Sequence, residues 1–189
     1  MLKIIQVKQE AQTRAELIDS LVSLEKSLFH RLTAWDADDF LEALDDKKTK
    51  LIVLIDSEDS SQTVQGYCLY EQFKKKIDIS SLAVSSLFKG QNYGFSMLKL
   101  ALDSASNKPD FLITIDCMPT LMPYYAKMGF EEYGKRDPGY YELTDDEIDG
   151  VHMKVSKERF DAIALSRSIA TTMPPLEELN LENNMKRPS

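Results

Sequence analysis

Two short stretches carry the residue types and spacings that best suit chemistry. The first is Lys89-Gly90-Gln91-Asn92-Tyr93-Gly94, which uses two of the chain's seven glycines. It joins an apolar stretch ending Leu82-Ala83-Val84 to an apolar run beginning at Met97. A Gly-rich turn from a strand into a helix leaves backbone N–H groups pointing outward at the helix start. There the helix dipole favours an anion. Lys89 adds a mobile positive charge, and Asn92 tolerates a positive φ that would otherwise ask for glycine. An ordinary tight turn would share this composition. Neither G-x-G-x-x-G nor G-x-x-x-x-G-K-S/T occurs, so dinucleotide and P-loop readings are not supported. The second stretch is Tyr124-Tyr125-Ala126-Lys127-Met128-Gly129-Phe130. Gly129 has the place of a helix-terminating glycine, with Phe130 entering the core as the next strand begins. Tyr125, on the last helical turn, points either into the core or into a cleft.

A base is harder to read. Asp78 and Ser80 alternate with Leu82 along the strand that leads to the Gly-rich turn, and Glu71 lies on the strand before it. Each is also an ordinary hydrogen-bonded sheet residue. Cys117 has no His close in sequence and reads as a small buried hydrophobe. Trp35 with Asp36, Asp38 and Asp39 opens a helix, where acidic residues suit the dipole. Lys74-Lys75-Lys76 reads as a solvated hairpin feature. The only histidines are His30 and His152 and the only cysteines Cys68 and Cys117, so no metal centre is expected.

Elements that would position these residues follow from hydrophobic period and punctuation. Strands are expected at Lys3–Val7, Leu51–Ile55, Val64–Phe73, Ile77–Val84, Phe111–Ile115, from Phe130, and at Val151–Val155. Thr13-x-x-Glu16 forms a capping box ahead of a helix with Leu17, Leu21, Leu24 and Leu28 at helical spacing. Further helices are expected at Asp36–Asp46, Met97–Ala105, Pro119–Met128 and from a Ser156 cap to Ile169. Ser57–Gln62 and Asp137-Pro138-Gly139 read as turns, and the chain from Met173 as a polar tail. The fold class is α/β, a mixed sheet flanked by helices, with residues 1–155 as the domain and 156–189 as a C-terminal helix and tail.

Composition narrows the partners. Lys and Arg number 23 and Asp and Glu 31, so the net charge is 23 − 31 = −8 over 189 residues. That disfavours nucleic-acid binding, which needs basic side chains to displace counterions, and favours cationic partners. No segment reaches membrane-spanning length, MLKIIQVKQE lacks a signal-peptide core, and few cysteines suit a reducing compartment. A cytoplasmic protein is expected, with passive nuclear access.

Together the two stretches resemble the GNAT superfamily of acyl-coenzyme A N-acyltransferases. The family's hallmark, roughly L-x-V-x-P-x-Y-R-G-x-G-x-G, is similar to Leu82-Ala83-Val84-Ser85-Ser86-Leu87-Phe88-Lys89-Gly90-Gln91-Asn92-Tyr93-Gly94. Its later aromatic-Tyr-x-Lys-x-Gly-Phe signature is matched by Tyr124 to Phe130, at the family's separation. A second register, Gln91-x-x-Gly94-x-Ser96, also fits. The first keeps the spacing from Val84 and sets Met97-Leu98 at the family's paired leucines. The resemblance implies that Lys89, Gly90, Gln91, Asn92, Tyr93 and Gly94 cradle the acetyl-CoA pyrophosphate. It implies that Leu82, Ala83 and Val84 lie along the pantetheine arm, where strands Ile77–Val84 and Phe111–Ile115 splay apart. Tyr125 is then the acid for the departing thiolate. Departures are Lys89 for the usual Arg or Gln, Asn92 for the first Gly and Ser86 for a frequent Pro.

Leu121-Met122-Pro123-Tyr124-Tyr125 is also similar to arylalkylamine N-acetyltransferases, whose His-x-His pair falls at Asp78 and Ser80 here. The implied activity is acetyl transfer from acetyl-CoA to a primary amine, in a small molecule or a peptide, with no metal. A GNAT-fold scaffold without catalysis is the alternative, in which the residues after Ser156 clasp a partner or form a homodimer.

Overall fold

A computed structural model of the chain describes residues 2–8, 11, 14–29, 34–56, 58, 63–143 and 146–168. Thr13 of the expected capping box, His30, most of the 57–62 turn, Ile169 and the tail from Met173 lie outside the described residues. In chain order the elements are β1 (Leu2–Gln6), α1 (Ala15–Leu28), α2 (Ala37–Asp45), β2 (Thr49–Asp56), β3 (Val64–Gln72) and β4 (Lys76–Val84). After them come α3 (Tyr93–Ala105), β5 (Leu112–Cys117), α4 (Met122–Ala126), β6 (Glu131–Glu132), β7 (Asp137–Leu143), β8 (Asp146–Ser156) and α5 (Lys157–Ser168). The eight-stranded sheet runs β1-β2-β3-β4-β5-β8-β6, with β7 paired to β8. Among the described residues, only β4 and β5 pair in parallel.

Each face of the sheet is covered by the apolar stripe of its helices. Ile18 and Leu21 of α1 and Phe40 and Leu44 of α2 pack on Leu51, Val53, Tyr67 and Leu69. Met97, Leu98, Ala101 and Leu102 of α3 and Phe160 of α5 pack on Ile52, Tyr70, Ile77, Ile113 and Met153. Asp36 starts α2 by accepting from the backbone N–H groups of Asp38 and Asp39, and the Asp39 carboxylate returns the contact to the Asp36 N–H. The acidic cluster beside Trp35 is therefore a helix cap. No described helix is long and apolar enough to cross a membrane.

The middle of β4 departs from simple alternation. Leu69 stands opposite Ser81, but Tyr70 stands opposite Ile79, so Ser80 is an extra residue, a β-bulge. Side-chain parity changes there. Ile77 and Ile79 face the α3 side before the bulge, and Leu82 and Val84 do so after it. Asp78 thus points to the opposite face from Leu82, against the expected alternation of Asp78, Ser80 and Leu82. The parallel pairing of β4 with β5 ends at Ile79 and Ile115. β5 continues with β8 as far as Cys117 opposite Val151, so β4 and β5 part directly beyond the bulge.

Three other elements differ from the sequence expectation. α3 begins at Tyr93 rather than Met97, because Asn92 takes a left-handed φ of 63° and turns the chain into the helix. β7 occupies Asp137–Leu143, where a turn was expected. Its register jumps between Asp137 and Tyr141, so Pro138 and Gly139 sit inside the irregularity. β8 is longer than the expected Val151–Val155 because it partners three strands. The Ser156 cap holds: its hydroxyl accepts from the Arg159 N–H at 3.3 Å. Buried Lys157 then fixes α5 to α3 through Asp103 at 2.7 Å.

Candidate active site

The parting of β4 and β5 opens a cleft with a cavity on either side. The larger, about 470 Å³, is lined by Leu82, Ala83, Val84, Phe88, Lys89, Gly90, Asn92, Tyr93, Leu121, Tyr124 and Tyr125, with Leu28 and Phe29 of α1 at its edge. Positive φ values at Gly90 (80°) and Asn92 (63°) turn the chain so that α3 begins at this cavity. Its first-turn N–H groups lack intrahelical partners, and Lys89 stands beside them. On the β5 side, Leu82 to Val84 have no pairing with β5, so that backbone edge is open to an extended ligand. A chain of polar groups ending in phosphates fits this wall. Gly94 lies just behind it in the first turn of α3. A Cβ there would come within 2.6 Å of the Tyr124 hydroxyl.

The smaller cavity, about 170 Å³, is lined by Glu25, Phe29, Trp35, Ser80, Ser81, Leu82, Ile115, Asp116, Cys117, Met118, Leu121, Tyr125 and Tyr141. The two cavities share Phe29, Leu82, Leu121 and Tyr125. Their charge differs. Lys89 lines the first, whereas Glu25 and Asp116 line the second.

Tyr125 stands on the shared wall, only 5% exposed. Its ring lies edge-on to Tyr124 at 5.1 Å and to Phe130 at 5.5 Å. Burial, reinforced by Tyr124, drives its phenol well above the ordinary tyrosine range. The hydroxyl therefore keeps its proton at any working pH. Gly129, at φ 91°, ends the turn that carries it and passes the chain to Phe130.

Of the residues singled out from sequence, Leu82, Ala83, Val84, Lys89, Gly90, Asn92, Tyr93 and Tyr125 come together around the larger cavity, and Ser80 reaches the smaller one. Gln91 and Gly94 line neither. Asp78 is elsewhere: its carboxylate binds the Lys76 ammonium at 2.7 Å and accepts from the Thr114 hydroxyl at 2.8 Å. Glu71 stands opposite Asp78 on the same stretch, away from both cavities. Cys117 is buried and its thiol is pushed up to about 11, chiefly by desolvation, which suits a packing residue.

Two features had escaped the sequence reading. Glu25, 1% exposed, lies in α1 with the core residues Ile18 and Leu21. Its spacing of seven from Ile18 and four from Leu21 marks it as inward-facing, a signal that the leucine stripe concealed. One carboxylate oxygen accepts from the Tyr67 hydroxyl, the other from the Trp35 N–H at 3.0 Å, and Tyr67 is in turn 2.7 Å from Ser81 Oγ. The second feature is the Asp116–His152 pair, with Nδ1 to Oδ1 at 2.6 Å and Asp137 at 3.3 Å from Nε2. These residues are distant in sequence and meet only because β5 and β8 place them opposite.

The hydrogen bond to Asp116 raises the His152 pKa above its ordinary value, so the imidazolium persists to higher pH. The pair's contribution to stability is complete below about pH 6.5 and is lost as pH rises through the folded pKa. An NMR titration should place the His152 midpoint above about 6.5, and Asp116→Asn should return it toward that value. A wild-type midpoint at or below 6.5 would refute the pairing.

A cleft between parted parallel strands, a helix start beside Lys89 and a tyrosine at the junction are the arrangement that the resemblance to acyl-coenzyme A transferases implied. The family model for the acetyltransferase (GNAT) domain matches residues 25–157, so the chain belongs to the GNAT acetyltransferases. No curated protein matches the sequence significantly. Among solved structures, ribosomal-protein-S18-alanine N-acetyltransferase from Escherichia coli is similar at TM-score 0.66 and 14% identity, over 82% of this chain and 94% of that one. Arabidopsis thaliana NAA60 in complex with acetyl-CoA is similar at 0.65 and 10%, over 83% and 99%. The NatC complex bound to Gag peptide and CoA gives 0.63 and 16%, over 82% and 98%. At these identities the likeness is one of fold.

Proposed function

We propose that this protein transfers an acetyl group from acetyl-CoA directly to a primary amine of a small molecule or peptide, in the cytoplasm. One observation carries the reading: two cavities of opposite charge character meet at Leu82 and Tyr125. The Lys89 side suits a phosphate-bearing donor and the Glu25–Asp116 side a cationic acceptor. Relatives of the same fold bound to acetyl-CoA, or to CoA with a peptide, support this division.

Acetyl-CoA would supply an activated thioester. The residues would then do three things. The unpaired strand edge at Leu82–Val84 offers backbone N–H to hold the extended arm and polarise the thioester carbonyl. Tyr125, kept protonated by burial, donates its O–H in a hydrogen bond to the departing thiolate, whose own pKa is about 8–9. The acceptor, an alkylamine of pKa about 10.4, must lose a proton before it attacks. The carboxylate-lined cavity attracts that cation and receives the proton.

Calorimetric titration with acetyl-CoA is the first test, followed by thiol release with polyamines, arylalkylamines and peptides bearing free α-amino groups. Binding at tens of micromolar or tighter is expected, with turnover on at least one amine class. No binding would sink the enzyme reading and leave the scaffold. Gly94→Val should weaken acetyl-CoA binding by at least about tenfold, because it thickens the backbone behind the proposed phosphate site. Undiminished affinity would remove that turn from the pyrophosphate assignment.

A further inference from the structure

We propose that Ser81, Tyr67 and Glu25 form a proton wire that takes the proton from the acceptor amine and buries it on α1. The inference rests on the acetyl-transfer reading and assigns the proton acceptor that this reading leaves open. Three elements supply its members: β4 at the bulge, β3 and α1.

The geometry is continuous. Ser81 lines the acceptor cavity and its Oγ is 2.7 Å from the Tyr67 hydroxyl. The Tyr67 hydroxyl donates to Glu25 Oε1, and Glu25 Oε2 accepts the Trp35 N–H at 3.0 Å. With both oxygens of the carboxylate accepting, the charge is held by directed hydrogen bonds in an otherwise apolar layer. Because Tyr67 donates to Glu25, the Ser81 hydroxyl donates to Tyr67, leaving a Ser81 lone pair toward the cavity. Transfer then runs one way. The amine gives a proton to Ser81 Oγ, Ser81 passes its own to Tyr67 Oη, and Tyr67 passes its own to Glu25 Oε1. Each hydroxyl ends neutral, the amine nitrogen loses one proton and Glu25 gains one.

Burial favours the final state. Tyr67 is fully buried, and desolvation raises the Glu25 carboxyl above the usual carboxylate range against the opposing pull of Tyr67 and Trp35. Around this cavity the ionisable described residues are Glu25, Asp116, Cys117, Tyr125 and Tyr141, none of them basic. The one described cation that the ion pairs place against this lining, His152, is engaged by Asp116 and Asp137 rather than by Glu25. The bulge explains why a serine is available at all. Without Ser80 as the extra residue, the parity of β4 would set Ser81 and Leu82 on each other's faces. A network that merely stapled α1 to β3 would need Tyr67 and Glu25, but not a hydroxyl lining the cavity.

The test compares wild type with Glu25→Gln, Tyr67→Phe and Ser81→Ala across pH, using whichever amine the thiol-release panel identifies. Glu25→Gln should lower kcat roughly 10²–10⁴-fold and erase the acidic limb of kcat/KM that reflects Glu25 ionisation. Tyr67→Phe and Ser81→Ala should each lower kcat by at least about tenfold, leaving KM for acetyl-CoA within about twofold. For an aromatic amine acceptor, which is already neutral at neutral pH, the losses should shrink. Should the buried Glu25→Gln variant fail to fold, Ser81→Ala decides, since it removes one hydroxyl at the cavity wall. Wild-type kcat and an unchanged pH profile in Ser81→Ala and Tyr67→Phe would overturn the wire and leave acetyl transfer standing. An inactive wild type on every amine would overturn both.

Discussion

Tyr125→Phe should lower kcat roughly 10²–10⁴-fold, the range for a positioned proton donor. Acetyl-CoA affinity should barely move. The substitution keeps the ring that packs edge-on against Tyr124 and Phe130 and removes one oxygen. Packing, and with it the shape of both cavities, is then conserved. The lost function is specific: the departing sulfur must leave as a bare thiolate on a wall shared with an apolar neighbour, Leu82. Because burial already holds the phenol protonated, raising the pH should not mimic the variant below the onset of unfolding. Steady-state kinetics with calorimetry separates the two quantities. Unchanged turnover would remove Tyr125 from the acid role, and weakened cofactor binding with unchanged kcat would make it a packing residue.

Gly129→Ala should destabilise the fold both by backbone strain and by crowding α5. At φ 91° an L side chain is strained, and a Cβ there would stand 2.7 Å from Ile163 Cδ1, 3.3 Å from Arg159 Cγ and 3.4 Å from Val155 Cγ2. The tip of Ile163 can swing, but β8 and the first turn of α5 hold the other two contacts. The expected loss is about 2–4 kcal/mol. For a domain of this size that is a fall in Tm of roughly 5–15 °C, measurable by thermal or chemical denaturation. Gly90→Ala is the control. Its φ of 80° is similarly strained, yet nothing lies within 4 Å of the added Cβ, so only the backbone cost of about 1 kcal/mol should appear. Equal losses at the two sites would show that α5 packing is irrelevant.

What was legible in the sequence follows a physical rule. Elements set by local period and punctuation were readable: the continuous apolar run of β2, the Ser156 cap, and Gly129 between α4 and Phe130. The turn that lines the larger cavity was readable for the same reason, since Lys89 to Tyr93 are contiguous. The smaller cavity was not, because it is assembled from α1, β4, β5, α4 and β7, which lie far apart in sequence. Asp78 was misplaced by a single uncounted residue, Ser80, whose bulge depends on how β3 pairs and has no local signature. β7 was missed because Pro138-Gly139 punctuates like a turn. There the long partner strand β8 overrides local preference.

The bulge in β4 has a consequence beyond the side chains it re-aims. Facing along a strand is a two-valued property: residues can be added or removed only whole, so no intermediate parity exists. The cleft beyond Ser80 is therefore a counting defect in the sheet, present or absent, and is not graded by the chemistry of any one residue. Substitutions can repaint its walls, trading Lys89, Asp116 or Glu25 for other groups. Moving the opening requires the register of β4 against β3 to shift by a whole residue at that point. The groups lining the two cavities are thus free to drift by point change while the strand register that parts β4 from β5 stays fixed.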